Sequence, residues 1–256
     1  MSVMTACRMP ASLSAGIRWG KKAARGGAWF AAVIGAAALV QASPSGLNNT
    51  PTADTCSERT LVLQAWEGFG RGMTPDNWVG AKYGVLNNAR FGGAELGVDW
   101  NENGDPTRSP VFQGKYAIDI TEAGPRLCGG IANVSGDTSR NGEPMPYAVM
   151  TYDLKGWLRV HAGYGFQKDN DGAFGGLDRT FTVSGLNVMF CGDVIQANDR
   201  KDALLAPGIK IGPATPDLAG LAGTILRHTA FETWVTFPTD GGTESYVAKL
   251  NFIVGF

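Results

Sequence analysis

The stretch that decides the fold is Tyr246-Val247-Ala248-Lys249-Leu250-Asn251-Phe252-Ile253-Val254-Gly255-Phe256. Tyr246, Ala248, Leu250, Phe252, Val254 and Phe256 fall on one side of an extended chain. Val247, Lys249, Asn251, Ile253 and Gly255 fall on the other. A period of two is the signature of a strand with unlike faces. One face is apolar with aromatics at both ends; the other carries an ammonium, an amide and a glycine. A strand ending on Phe256 with an apolar outer row is expected against an apolar surrounding rather than water.

The same grammar recurs upstream. In residues 90–100, Ala94, Leu96, Val98 and Trp100 alternate with Glu95, Gly97 and Asp99. In residues 110–121, Phe112, Gly114, Tyr116, Ile118 and Ile120 alternate with Gln113, Lys115, Ala117 and Asp119. The link 101–109 is dense in Asn, Asp, Gly and Pro, so the two arms read as a hairpin. Residues 77–85, 146–154 and 157–167 follow the same pattern, and further strands are expected near 60–69, 126–134, 177–184, 186–195, 203–212 and 224–237. Loops are expected at 168–176 and 213–223. The count is about ten to twelve strands, all antiparallel if joined by short turns.

Composition agrees. The chain has 256 residues, 36 of them glycine, and only 18% charged. Mean hydropathy is −0.07, which is compatible with a barrel because only alternate residues meet lipid. Arg8, Arg18, Lys21, Lys22 and Arg25 precede an apolar run at 28–40. That run is shorter than the roughly 20 residues a spanning helix needs. Val40-Gln41-Ala42 fits a small-x-small cleavage site, so a signal peptide over 1–42 and a mature start at Ser43 are expected. Residues 43–59, small and polar, read as a flexible periplasmic lead-in. Without the leader the chain holds 17 basic and 23 acidic residues, a net charge of −6. An acidic chain with no basic cluster excludes nucleic acid as a partner class. Cys56, Cys128 and Cys191 form no C-x-x-C, and His161 and His228 are the only histidines. No metal- or cofactor-binding spacing is present.

The leader and the closing strand together resemble those of bacterial outer-membrane β-barrel proteins. The resemblance spans roughly residues 60–256 and implies an antiparallel transmembrane β-barrel, all-β, behind a cleaved signal peptide. It implies a cell outer membrane location, with outer-membrane lipid and the barrel assembly machinery as partners. It makes Tyr246, Leu250, Phe252, Val254 and Phe256 the assembly signal. Small barrels of this kind include outer-membrane transporters, so a channel or uptake barrel for small solutes is the expected function. The alternatives are a non-conducting barrel that displays its loops, a barrel enzyme acting on lipids, and a secreted β-sandwich. The inward-facing glycines favour a barrel over the sandwich, because a narrow lumen crowded by long charged side chains needs small neighbours.

Leu96, Val98, Ile118, Leu158, Val160 and Phe252 are expected to face lipid. Trp66, Trp78, Trp100, Tyr147, Trp157, Trp234, Tyr246 and Phe256 lie near strand ends, where an interfacial girdle places aromatics. The opposite faces carry the candidate lumen residues Lys82, Glu95, Asp99, Lys115, Asp119, Arg159, His161, Asp193 and Lys249, with Asp153 and Lys210 beside them. Charges of both signs inside a barrel either pair and plug it or line a wet pore. A catalytic reading finds little support. No G-x-S-x-G is present, nor the His-x-Ser-Asn-Gly of outer-membrane phospholipases. His161 reads as a lumen residue bonded to a carboxylate. Asp169-Asn170-Asp171-Gly172 lacks the rest of a calcium loop.

Overall fold

The computed structural model describes residues 45–88, 91–101, 109–121, 124–168, 170–183, 185–196, 202–212 and 220–256. The expected signal peptide and the loop tips at 102–108 and 213–219 lie outside these residues. Twelve strands form the barrel: β1 (Thr60–Gly70), β2 (Asp76–Asn88), β3 (Gly92–Asn101), β4 (Val111–Asp119), β5 (Arg126–Ser135), β6 (Met145–Asp153), β7 (Arg159–Gly165), β8 (Gly172–Val183), β9 (Leu186–Gln196), β10 (Ala203–Gly212), β11 (Thr229–Pro238) and β12 (Ser245–Gly255). Among the described residues, two short helices, α1 (Thr138–Asn141) and α2 (Gly220–His228), sit in the connections β5–β6 and β10–β11.

Each strand pairs with its sequence neighbours, and β12 returns to β1 from Thr60↔Gly255 to Gly70↔Ser245. The sheet is therefore a closed antiparallel barrel with no free edge. The stretch Tyr246–Phe256 supplies the closing strand, and its alternation sets which side chains enter the lumen.

The pleat sorts the residues as the sequence pattern implies. Along β4, Val111, Gln113, Lys115 and Ala117 are buried, while Phe112, Tyr116 and Ile118 are exposed. Leu96 is 59% exposed and Phe252 is exposed too, whereas Glu95 and Asp99 are buried. Val98, Leu158 and Val160 are half-buried. Apolar side chains outside and ionisable ones inside invert the order of a water-soluble protein. A closed barrel with that inversion is the arrangement that satisfies every backbone group in lipid.

Three details depart from the sequence reading. Residues 220–228 form α2 where a loop and a strand start were expected; Arg227 and His228 close its last turn, where basic side chains suit the helix dipole. His228 Nδ1–H donates to the Ile253 carbonyl at 2.8 Å, tying α2 to β12. The expected loop 168–176 is shorter, because pairing with β7 runs on to Gly165↔Gly172. The aromatic girdle is also divided. Trp100, Trp157, Tyr246 and Phe256 are exposed, but Trp66, Trp78, Trp234 and Tyr147 are buried inside. Parity decides this: Trp66 shares its face with Gln64, and Trp78 with Lys82, so neither reaches the outer surface. Trp66 and Trp78 stack across β1–β2 with centroids 5.8 Å apart.

Candidate functional site

The lumen is occupied by the chain itself. Residues 45–57 run inside the barrel as a narrow hairpin, where a flexible lead-in was expected. Leu47 N–H donates to the Thr50 carbonyl at 2.9 Å, and Gly46 faces Pro51 in an isolated antiparallel bridge. Asn48 and Asn49 form the tip. Leu47, Asn48, Thr50, Thr52 and Ala53 are buried. The segment leaves the lumen beside β2, where Arg59 N–H donates to the Gly84 carbonyl at 2.8 Å. That is the barrel end at which β1 begins and β12 finishes.

A backbone withdrawn from water must find partners for its N–H and C=O groups. The hairpin has no neighbouring strand inside the lumen, so the wall charges serve instead. Glu95 takes the Ser45 N–H at 2.9 Å, the Ser45 hydroxyl at 2.6 Å and the Cys56 N–H at 2.8 Å, and so clamps both arms. Asp193 Oδ2 takes the N–H groups of Asn49 and Thr50 at 2.7 and 2.8 Å and the Thr50 hydroxyl at 3.0 Å. Lys115 donates to the carbonyls of Ser45 and Thr52. Lys210 donates to those of Gly46 and Leu47 at 3.0 and 2.8 Å, and to Glu232 at 2.7 Å. Hydrogen bonds with one charged partner are the stronger kind, contributing about 1.5–3 kcal/mol each.

The wall is also shaped for the hairpin. A β-carbon on Gly176 would lie 2.3 Å from a Leu47 methyl carbon, and one on Gly84 would strike the Ser57 carbonyl. A β-carbon on Gly208 would come 2.6 Å from Asn48 Oδ1. The inward glycines thus make room for a peptide as well as for charged side chains.

A second network supports the hairpin's outgoing arm. Arg159 grips Asp178 with two bonds of 3.0 and 2.8 Å and reaches Asp54 at 2.9 Å. His161 Nε2–H donates to Asp178 at 2.9 Å, which leaves Nδ1 to accept the Thr151 hydroxyl at 2.8 Å. The Thr151 oxygen in turn accepts the Ala53 N–H at 3.0 Å. The order Thr–His–Asp has the connectivity of a nucleophile, base and orienting acid. Here the hydroxyl is covered by Ala53 and all three side chains are buried, so the arrangement anchors the hairpin. Burial pushes the Asp54 carboxyl upward, but the Arg159 guanidinium outweighs it and holds the group below the usual carboxylate range.

The structure brings most of the candidate residues together. Lys82, Glu95, Asp99, Lys115, His161, Asp193 and Lys249 are buried in the interior. Arg159, the first residue of β7, is partly exposed. Asp119 stands apart: it has the inward parity of β4 but is its last residue, 48% exposed and 3.8 Å from Arg126 at the rim. Asp153, last in β6, accepts the Gly156 N–H at 2.6 Å and shapes the turn to β7. Sequence reasoning did not count Asp178, Glu232, Thr151 or Asn251 among the lumen candidates, although it placed Asn251 on the polar face of its strand, and it read the hairpin as a lead-in. Strand parity alone would have found the first four. Cys128 and Cys191 are buried free thiols, and Cys191 Sγ lies 3.2 Å from Asn48 Oδ1 at the hairpin tip.

Between the hairpin and the β10–β11–β12–β1–β2 wall, a cavity of about 230 Å³ remains. Lys82, Lys210, Glu232, Lys249 and Asn251 give it a polar side; Leu47, Val62, Ala230 and Ile253 give it an apolar one.

On the outer surface of β12, Tyr246, Leu250, Phe252 and Phe256 are exposed and Val254 is half-buried, in one row.

No family model and no curated protein matches the sequence. Among solved structures, the barrel is similar to the KdgM porin, with a TM-score of 0.50 and 12% identity over 75% of this chain and 98% of that chain. The KdgM porin in complex with disordered oligogalacturonate aligns at a TM-score of 0.48 and 11% identity, with the same coverage. The Acinetobacter baumannii outer membrane protein Omp33 aligns at 0.45 and 10% identity, over 76% of this chain and 98% of that one. At 12% identity the likeness to the KdgM porin concerns the fold: this chain is a twelve-stranded barrel of the outer-membrane type.

Proposed function

We propose that this chain is an outer-membrane channel or uptake barrel for small solutes, held closed by its own N-terminal hairpin. One observation carries the reading: the barrel encloses a charged lumen whose filling is attached to the wall by many hydrogen bonds and ion pairs, with one small apolar contact region around Ala53. A barrel of about eight strands fills its interior with side chains, and larger ones leave space. With twelve strands, the space is taken by residues 45–57, and removal of that segment leaves a polar passage.

Swelling of proteoliposomes in small neutral and charged solutes tests this. The intact protein is expected to pass little, and the Glu95→Gln/Asp193→Asn variant substantially more. A variant that is folded, inserted and still sealed supports the second reading, a non-conducting barrel, which the tightly bonded hairpin favours.

The outward row of β12 is assigned on the same reading to recognition by the assembly machinery. Deleting Phe256, 69% exposed and in no interior contact cluster, is expected to lower inserted protein in cells while leaving refolding in detergent unchanged. Equal levels in cells would refute the assignment.

A further inference from the structure

We infer that the 230 Å³ cavity beside the hairpin is a binding site for a small organic carboxylate, with the carboxylate between Lys82 and Lys249 and its apolar tail against Val62, Ala230 and Ile253. The argument starts from charge. Three ammonium groups and one carboxylate line the cavity. The carboxylate, Glu232, is already engaged: it accepts from Lys210 at 2.7 Å and from Asn251 at 2.8 Å. Lys210 is further spent on two hairpin carbonyls.

Lys82 and Lys249 are left over. They are 6% and 7% exposed, yet among the described residues neither has a carboxylate or carbonyl within bonding distance. Lys249 Nζ stands 5.0 Å from the Trp66 ring centroid, a cation–π contact that leaves its N–H donors open. Asp99, whose charge reaches both lysines, accepts its hydrogen bonds from the Gln64 and Gln113 amides at 2.6 and 2.8 Å and from neither ammonium group. Glu232 and Asp99 attract these ammonium groups through space without bonding them, so their N–H donors stay open to the cavity, and two ammonium groups in one cavity repel each other. An anion placed between them relieves both.

Shape restricts which anion. The cavity is smaller than the roughly 300–1,000 Å³ of pockets for drug-sized ligands. Val62 is the cross-strand partner of both Lys82 and Ile253. The apolar wall therefore lies immediately beside the ammonium groups. A fully hydrated inorganic ion leaves that wall unpaired; a short-chain carboxylate covers it. As a step in transport the site rests on the channel reading, but binding itself needs only the folded barrel in detergent.

Iodide provides the probe, because it quenches tryptophan and is itself an anion drawn to Lys249 beside Trp66. In purified full-length protein, iodide is expected to show a saturable quenching component, lost in Trp66→Phe. Butanoate at millimolar concentration is expected to remove that component, while butan-1-ol and butylammonium leave it. Lys82→Met and Lys249→Met, each verified as folded by heat-modifiable mobility, are expected to weaken butanoate at least tenfold. The alcohol comparison uses the unsubstituted protein and stands even where a variant fails to fold. Strictly linear quenching, or equal action of butanoate and butan-1-ol, overturns the site. Inorganic phosphate acting as well as butanoate overturns the assignment to organic carboxylates. Proteoliposome swelling decides the channel reading separately.

Discussion

Asp193 holds Thr50 at both ends of one residue, accepting its backbone N–H at 2.8 Å and its hydroxyl at 3.0 Å through the same carboxylate oxygen. The same oxygen takes the Asn49 N–H, so one side chain of β9 fixes the tip of the hairpin in the lumen. Loss of its charge is expected to loosen the tip by about 1.5–3 kcal/mol. Cys191, under Asn48, reports the change. Asp193→Asn is expected to raise the rate of Cys191 labelling by a small charged thiol reagent about tenfold or more, at roughly 1.4 kcal/mol per factor of ten. An unchanged rate would mean that the tip is held elsewhere.

Acid should act on the other arm. Asp54 has its carboxyl held low in the docked hairpin, chiefly by Arg159 against the opposing effect of burial. A group whose pKa is depressed on docking stabilises the docked state above its free value and loses that contribution as pH falls through the depressed one. The window therefore opens below about pH 4. With the side chain 39% exposed, solvent screens part of the attraction and the effect is modest. Protease cleavage within residues 45–57 is expected to accelerate below that pH in the wild type. In Asp54→Asn the step should vanish; a step of equal size there would assign it to other carboxylates.

The outer surface gives a third expectation. Leu96 is 59% exposed on β3. On a water-soluble protein, Leu96→Arg would be almost neutral. Near the middle of a bilayer an arginine on the lipid face costs about 2–4 kcal/mol. Equilibrium folding into lipid vesicles is expected to show that loss for Leu96→Arg and close to none for Leu96→Phe. Near-equal stabilities would place this face in water.

The strands were legible because a period of two survives any tertiary context: Phe112, Tyr116 and Ile118 declare one face of β4, and Gln113 and Lys115 the other. Burial at the strand ends was less so. Parity alone puts Asp119 inside, but its place as the last residue of β4 puts it at the rim. The girdle misled for a related reason, since nearness to a strand end says nothing about face, and Trp66, Trp78 and Trp234 turned inward. The hairpin was the hardest feature to see. Thr, Asn, Ser and Pro in residues 45–57 suit a solvated tail and equally suit a peptide whose backbone is bonded by a charged wall. What distinguishes the two is distant in sequence: Glu95, Asp193, Lys115 and Lys210 must be known to converge before the segment has partners.

The most direct test of the account is the conductance of a hairpin whose position is set chemically. Asn48 Oδ1 already lies 3.2 Å from Cys191 Sγ, so Asn48→Cys is placed to form a disulfide that fastens the tip. In an Asp193→Asn background, single-channel recording in planar bilayers is expected to show a closed barrel when oxidised and frequent openings after addition of a reductant. The same conductance in both states, open or sealed, with the disulfide verified, would contradict a solute channel closed by its own N-terminal hairpin.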